Sequence, residues 1–295
     1  MPKRLLSDME KLYPTFSKGQ KKIADYLTAH YDKAAFMTAA KLGTTVGVSE
    51  STVVRFAAEL GYEGYPELQK TLQEIIKNYL TSVQRMEVDT SRVSDDTIIA
   101  KALTADIEMI KATLEQISVK DFTESIETIN NAAKIYIIGV RSASSLAGFM
   151  AYYFNLIYDN IVLVNSARAS DLFEQIYKIS ADDACIAMTF PRYSKQTVGA
   201  LRYIRETGAS IISITDSKMS PIAPLADHLL IAQSSMVSFV DSLVAPLSLI
   251  NALIAACARS RSEKVAEHLK TLEKVWEEYH VYQTSHDDEE EEASR

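Results

Sequence analysis

Three short stretches of the sequence carry residue types whose spacing could do chemistry. Ser49, Glu50, Ser51, Thr52 and Arg55 open a periodic apolar stretch that runs to Leu60. Ser49 stands where a helix N-cap belongs. Short polar side chains followed one turn later by an arginine suit a helix that enters a DNA major groove end-on. Small residues let the backbone approach, and Arg55 can bridge a guanine edge or clamp a phosphate. An ordinary helical hairpin with a solvated face meets the same pattern.

The second and third stretches are Gly139-Val140-Arg141-Ser142-Ala143-Ser144-Ser145 and Thr189-Phe190-Pro191-Arg192-Tyr193-Ser194-Lys195-Gln196-Thr197. Each follows a strand-like run and opens a helical one. Arg141, Ser142 and Ser144 in the first, and Ser194, Lys195 and Thr197 in the second, combine cations and hydroxyls with the N–H groups of a helix start. That combination binds anions, most simply a phosphate. Any one serine is explained as well by helix capping, and Arg141 or Arg192 by an ion pair within an acidic domain. Two such loops on one sheet favour phosphate. GxGxxG and GK[ST] are both absent, which excludes the dinucleotide fingerprint and the P-loop.

Acid–base chemistry has weaker candidates. An enzyme that moves a proton on a phosphorylated substrate would need a base beside the phosphate, and Glu174 and His228, then Asp171 and Asp241, are the residues available. None carries a sequence mark of catalysis. The five histidines (30, 228, 268, 280 and 286) show no metal spacing, so no metal and no cofactor is expected. Cys185 and Cys257 lie in apolar stretches without CxxC spacing and read as small buried hydrophobes in a reducing compartment.

The elements that must position these residues follow from periodicity. Ser17 and Gly19 precede a helical pattern at Ile23, Ala24, Tyr26, Leu27 and Tyr31; Phe36 to Val46 reads as the next helix. Gly47 makes a tight turn, Ser49–Leu60 is the candidate reading helix, and Glu67–Leu80 resumes after a Gly- and Pro-containing break. This is an all-helical unit of about five helices. After Ala133 short β-branched runs alternate with helices: Ile135–Ile138, Ile161–Val164, Cys185–Met188, Ser210–Ile214 and Leu229–Ala232. Helical runs are Ser144–Tyr158, Ser170–Ile179, Ser194–Thr207 and a looser Asp216–Ala226. The pattern predicts an α/β domain with a mostly parallel five-stranded sheet covered by helices on both faces. Phe239–Ala258 and Glu263–Tyr282 add two helices.

Charge divides the chain the same way. The net charge is −8, but residues 1–80 carry 11 Lys and Arg against 9 Asp and Glu, a balance of +2 that leaves −10 for the rest. Only the amino-terminal part avoids repulsion by phosphate. Residues 1–80 are thus the expected DNA-binding domain, 81–105 a polar linker, 106–284 the second domain and 285–295 an acidic tail. Met1–Arg4 is followed by Leu-Leu-Ser-Asp, too polar for a secretory leader, and the longest apolar run, Leu243–Ala258, is too short for a bilayer. A cytoplasmic protein with no membrane partner is expected.

The chain resembles the RpiR family of transcription regulators, which join a helix-turn-helix domain to a sugar isomerase (SIS) domain. The matching residues are Val48-Ser49-Glu50-Ser51-Thr52-Val53-Val54-Arg55-Phe56 and Leu60-Gly61-Tyr62-Glu63-Gly64-Tyr65-Pro66-Glu67-Leu68. In the second domain they are Gly139-Val140-Arg141-Ser142, Phe190-Pro191-Arg192-Tyr193-Ser194, Ile214-Thr215-Asp216-Ser217 with Ser220-Pro221, and Asp241-Ser242-Leu243. The resemblance spans roughly residues 5–260. It implies a regulator that binds double-stranded operator DNA as a homodimer or homotetramer, senses a phosphosugar-type effector and controls carbohydrate metabolism genes. Two positions depart from the family pattern: Ala143 where a second serine is usual, and Gly43 where alanine is usual, the latter costing about 1 kcal/mol of helix propensity.

Overall fold

The computed structural model describes residues 5, 9, 11–79, 83, 98–164, 169–234 and 240–282. It divides into two compact units, one of Met1–Ile98 with Met236–Asp241 and the other of Ile99–Ser235 with Ser242–Arg295. Most of the expected linker (81–97) and the acidic tail (285–295) lie outside the described residues.

The first unit is helical. A 3₁₀ turn at Tyr13–Thr15 leads to α1 (Lys18–Ala34), where Ser17 and Gln20 form a reciprocal capping box. Helix α2 spans Ala39–Val46 and is capped by the Thr38 hydroxyl. It begins three residues later than the apolar pattern from Phe36 suggests, because Phe36 and Met37 pack on the core from a turn. Gly47 then reverses the chain at φ 71°, a left-handed conformation that suits glycine. Helix α3 (Glu50–Glu59) starts at the Ser49 cap, and α4 (Tyr65–Tyr79) closes the unit.

The core holds Ile23, Leu27, Leu42, Val53, Phe56 and Leu68. Gly43 has a packing reason: a β-carbon there would lie 2.9 Å from the Val48 carbonyl oxygen, against the backbone of the turn. Tyr65 ties the unit together by donating to the Met37 carbonyl at 2.8 Å.

The second unit opens with α5 (Ile98–Gln116) and α6 (Val119–Asn131). The first two turns of α5 cover residues 98–105, the end of the stretch expected to be linker. An alternating run follows: β1 (Ile135–Gly139), α7 (Ala143–Phe154), β2 (Ile161–Val164), α8 (Ala169–Ile176), β3 (Ala184–Met188), α9 (Lys195–Thr207), β4 (Ser210–Thr215) and β5 (His228–Ile231). The unit ends with α10 (Val244–Ser260) and α11 (Ser262–Glu278). All five strands pair in parallel, in the order β2-β1-β3-β4-β5.

Strand side chains alternate between two cores, as a sheet covered on both faces requires. Ile135, Ile137, Ile186 and Ile212 join Met150, Phe154 and Leu253 on one face. Tyr136, Ile138, Cys185 and Ile211 join Leu172, Leu201 and Ile204 on the other. The looser helix expected over Asp216–Ala226 is a 3₁₀ turn at Ala223–Leu225 alone. Pro221 and Pro224 remove the N–H groups an α-helix would need. Helix α10 begins at Val244, after a non-helical stretch from Val240 to Leu243, with Pro246 in its first turn where a missing N–H costs nothing; the expected start at Phe239 lies outside the described residues.

Both cysteines are buried thiols. Burial pushes Cys257 up to about 11 and raises Cys185 further, so neither is a thiolate nucleophile. Among the described residues no helix is long and apolar enough to cross a membrane.

Candidate functional site

In the first unit, the polar residues of α3 lie toward the outside, together with Val54 and Ala58, and its other apolar residues lie inside. Val53, Phe56 and Ala57 are buried, whereas Ser49, Glu50, Ser51 and Arg55 are exposed and Thr52 is half-buried. The Ser49 hydroxyl accepts the Thr52 N–H at 3.3 Å and lies 2.9 Å from the Ser51 hydroxyl and 2.8 Å from that of Thr52. The first turn is therefore a pre-ordered cluster of three hydroxyls. Arg55 donates from Nε to the Ser51 carbonyl at 3.3 Å, which leaves its other guanidinium donors for a partner.

Gly19 brings α1 close, since a β-carbon there would meet the Thr52 methyl at 3.3 Å. Lys22 carries no signal in the sequence pattern, yet its Nζ comes within 3.9 Å of a β-carbon built on Gly47. That puts a cation beside the turn preceding α3.

In the second unit, the two serine-rich loops leave the carboxyl ends of neighbouring strands. Gly139 ends β1 and pairs in register with Met188 at the end of β3. The chain order reverses between these strands, since β2 lies on one side of β1 and β3 on the other. Open parallel sheets bind ligands at such a switch point, where helix N-termini face the crevice. Arg141, Ser142 and Ser144 precede or open α7; Ser194, Lys195 and Thr197 open α9.

Locally the two loops differ. Ser194 is a true cap, accepting the Thr197 N–H at 3.3 Å, while its own N–H is held by the Thr189 hydroxyl at 3.1 Å. Ser142 makes no capping hydrogen bond, so the alternative explanation by capping does not apply to it; its backbone is already helical and its side chain is exposed. The Ser144 hydroxyl instead donates to the Arg141 carbonyl at 2.5 Å, and Arg141 sits at φ 58°. Arg192 takes a similar conformation, at φ 62°.

Gly139 is required by closeness. A β-carbon there would fall 2.4 Å from the Ala143 carbonyl oxygen. Ala143 itself is buried in the core, so the hydroxyls open to the crevice side of this loop come from its neighbours. Thr197 is fully buried, and its hydroxyl has no hydrogen-bond partner among the described residues. A buried hydroxyl without a partner is uncommon and marks a place where a ligand or water belongs.

Around these loops lies a polar set that sequence reasoning did not single out. Tyr193 donates to the Asp216 carboxylate at 2.8 Å, and the Thr215 hydroxyl donates to the Thr189 carbonyl at 2.7 Å. Gln233 reaches the Asp216 carbonyl at 3.3 Å. The buried hydroxyls of Ser213 and Ser220 also have no partner among the described residues. The signal was present in Ile214-Thr215-Asp216-Ser217, but nothing in chain spacing ties it to Tyr193.

The two leading acid–base candidates are not brought together. Glu174 is exposed on α8, and His228 starts β5, at the end of the sheet opposite the crevice. His228 faces α6: its Nε2 lies 3.0 Å from the Thr128 hydroxyl and its Nδ1 3.5 Å from the Glu124 carboxylate. Asp121, Glu124 and His228 bring one ligand atom each within 4.8 Å of one another, a cluster that histidine spacing along the chain does not disclose.

Comparison with known proteins matches each unit separately. Residues 3–79 match the family described as "Helix-turn-helix domain, rpiR family", and residues 128–256 match the SIS domain. An HTH-type transcriptional regulator of Clostridium perfringens is 24% identical over 265 residues, 88% of this chain and 94% of that protein. The regulator YfhH of Escherichia coli K12 is 26% identical over 220 residues, 74% of this chain and 77% of that protein.

Among solved structures, the sugar isomerase domain of an RpiR transcription factor from Sphaerobacter thermophilus aligns with TM-score 0.58 and 25% identity, covering 60% of this chain and 99% of that one. The Vibrio vulnificus NanR protein, solved in complex with ManNAc-6P, aligns with TM-score 0.57 and 22% identity over 92% of this chain and 97% of that one.

Proposed function

We propose, for a chain that belongs to the RpiR family of helix-turn-helix transcriptional regulators, that its SIS domain senses a phosphorylated sugar and thereby sets the affinity of α3 for operator DNA. Residues 1–80 serve as the reading domain and 106–284 as the sensor. Ser49, Glu50, Ser51, Thr52 and Arg55 face the major groove, with Lys22 on a flanking phosphate. Arg141, Ser142, Ser144, Ser194, Lys195 and Thr197 hold the effector's phosphate at the switch point. The sugar then meets Asp216 and its neighbours. The genes controlled belong to carbohydrate metabolism, and the protein works in the cytoplasm without a cofactor.

One observation carries the sensing half. Two helix N-termini with hydroxyls and cations leave adjacent strand ends, and the fully buried Thr197 hydroxyl there has no partner among the described residues. The complex of the NanR protein with ManNAc-6P supports the same ligand class. Coupling to DNA requires only that effector bind one arrangement of paired reading heads better than another.

An isomerase is the competing reading. It is disfavoured by the placement of Glu174 on an exposed helix face and of His228 at the opposite end of the sheet. The relatives, moreover, are named as regulators. Selection of random duplex DNA by the purified protein at moderate salt tests the regulator reading. An enriched palindrome is expected, since contacts to phosphates alone cannot select sequence. No enrichment, together with turnover of a phosphosugar, would replace the regulator by an enzyme.

A further inference from the structure

The amino end of the sheet carries a polar cluster that neither the first unit nor the crevice at the strand ends uses. Helix α6 places Asp121 and Glu124 three residues apart, hence on one face, with Thr128 one turn further along. Edge strand β5 brings His228 against that face from 100 residues away. One ligand atom each from Asp121, Glu124 and His228 lies within 4.8 Å of the others, and all three residues are half-buried.

Two carboxylates this close in a half-buried place repel one another unless a cation lies between them. The protein's own cation there is weak. Lys120 Nζ is 3.7 Å from Glu124 Oε1, and its side chain is 80% exposed. The other oxygen, Oε2, is turned to His228.

The imidazole decides what kind of cation fits. Its Nε2 lies 3.0 Å from the Thr128 hydroxyl, and with Nε2–H donated there the lone pair of Nδ1 faces Glu124. Nδ1 is a buried atom with no hydrogen-bond partner among the described residues. Its separation of 3.5 Å from Glu124 Oε2 is too long for a charge-assisted hydrogen bond, which closes to about 2.7–2.9 Å. It is near the roughly 3.4 Å between two ligands of one tetrahedral ion with bonds of about 2.0–2.2 Å. At that distance the nitrogen and the carboxylate are placed to share a metal ion, not a proton.

We propose that Asp121, Glu124 and His228 Nδ1 bind a divalent transition-metal ion, best Zn²⁺, with Thr128 as the positioning residue behind the imidazole. Two carboxylates balance its charge, three protein ligands leave a fourth position to solvent, and the nitrogen ligand disfavours Mg²⁺ and Ca²⁺. The ion joins α6 to the first residue of an edge strand that has a sheet neighbour on one side only. Its role is structural, at the end of the strands opposite the crevice, and does not rest on DNA or effector binding. Histidine spacing gives no sign of it because one ligand alone is a histidine.

The test uses the full chain, stripped of metal by a chelator. Calorimetric titration with Zn²⁺ should show one tight equivalent that raises the melting temperature and that Mg²⁺ in about a hundredfold excess does not displace. Asp121→Asn and His228→Gln should each weaken it tenfold or more with the helical circular dichroism unchanged. Thr128→Val should weaken it about tenfold, and Thr128→Ser should restore it. His286 precedes a run of acids that can hold an ion loosely, so His286→Ala should leave the tight equivalent in place.

No tight equivalent, or one that survives both Asp121→Asn and His228→Gln, overturns the proposal. So does one that Mg²⁺ displaces or that His286→Ala removes. Should His228→Gln fail to fold, Asp121→Asn decides alone. Full affinity in Thr128→Val would overturn the positioning role. Loss of operator selection in a chain that still holds its ion would count against the regulator reading and leave this site standing.

Discussion

Gly139→Ala probes the sensing site through its scaffold. The added β-carbon would lie 2.4 Å from the Ala143 carbonyl oxygen and 2.8 Å from the Ala147 β-carbon, where ordinary contact begins at 3.4 Å. The carbonyl is backbone, so no flexible side chain can yield. The start of α7 must retreat by roughly 1 Å, a strain that costs about 2 kcal/mol of stability. The same retreat lengthens hydrogen bonds from the α7 N-terminus to a phosphate, each worth about 1.5–3 kcal/mol when the acceptor is charged. Effector affinity should fall about 10- to 100-fold.

Urea unfolding reads the first effect and calorimetric titration with sugar phosphates the second. Gly148→Ala is the control in the same helix, because nothing lies within 4 Å of its new β-carbon. It should stabilise by about 1 kcal/mol through helix propensity and leave affinity unchanged. Gly139→Ala with full stability would refute the packing argument. Reduced stability with full affinity would remove the α7 N-terminus from the effector site.

Three further outcomes are expected. Arg55→Ala should abolish operator binding by gel shift while calorimetry shows unchanged effector affinity; parallel loss of both would deny the two units separate roles. Thr197→Val keeps shape and removes a buried hydroxyl without a partner among the described residues. It should keep or raise stability by up to about 1 kcal/mol yet weaken effector binding about tenfold, whereas unchanged affinity would leave that hydroxyl without a function. Burial pushes the Tyr65 hydroxyl from 10.0 up to about 12. The folded unit holds that proton more tightly than the unfolded chain, so its contribution is full below the unfolded value and is lost as pH rises from there to about 12. Urea titrations across that range should show a loss on the order of 2 kcal/mol that Tyr65→Phe lacks.

Helix α3 and the strands were legible because local signals agreed with the tertiary result. Ser49 before an apolar period marked the α3 cap, Gly47 the left-handed turn, and the run Ile135–Ile138 a strand buried on both faces. That the two serine-rich loops share one sheet also followed, whereas the neighbourhood of β1 and β3, with β2 on the far side of β1, is set by a strand order that the run of elements does not record.

What escaped depended on contacts far apart in the chain. Phe36 and Met37 look helical in period but pack from a turn. The Tyr193–Asp216 bond spans 23 residues, and His228 meets Thr128 across 100, at the wrong end of the sheet for catalysis beside the phosphate. Gly43, which reads as a helix defect, is there because the Val48 carbonyl leaves no room for a β-carbon. No period or propensity records such a contact.

Under the proposed function, one chain couples a phosphosugar to a DNA sequence. The direct measurement is fluorescence anisotropy of a labelled operator, titrated with protein in the presence and absence of individual sugar phosphates. At least one should change operator affinity about fivefold or more, a coupling of roughly 1 kcal/mol. By reciprocity, operator DNA should shift that sugar phosphate's affinity by the same factor. An operator affinity that no sugar phosphate alters, in a protein that binds one tightly, would contradict the account.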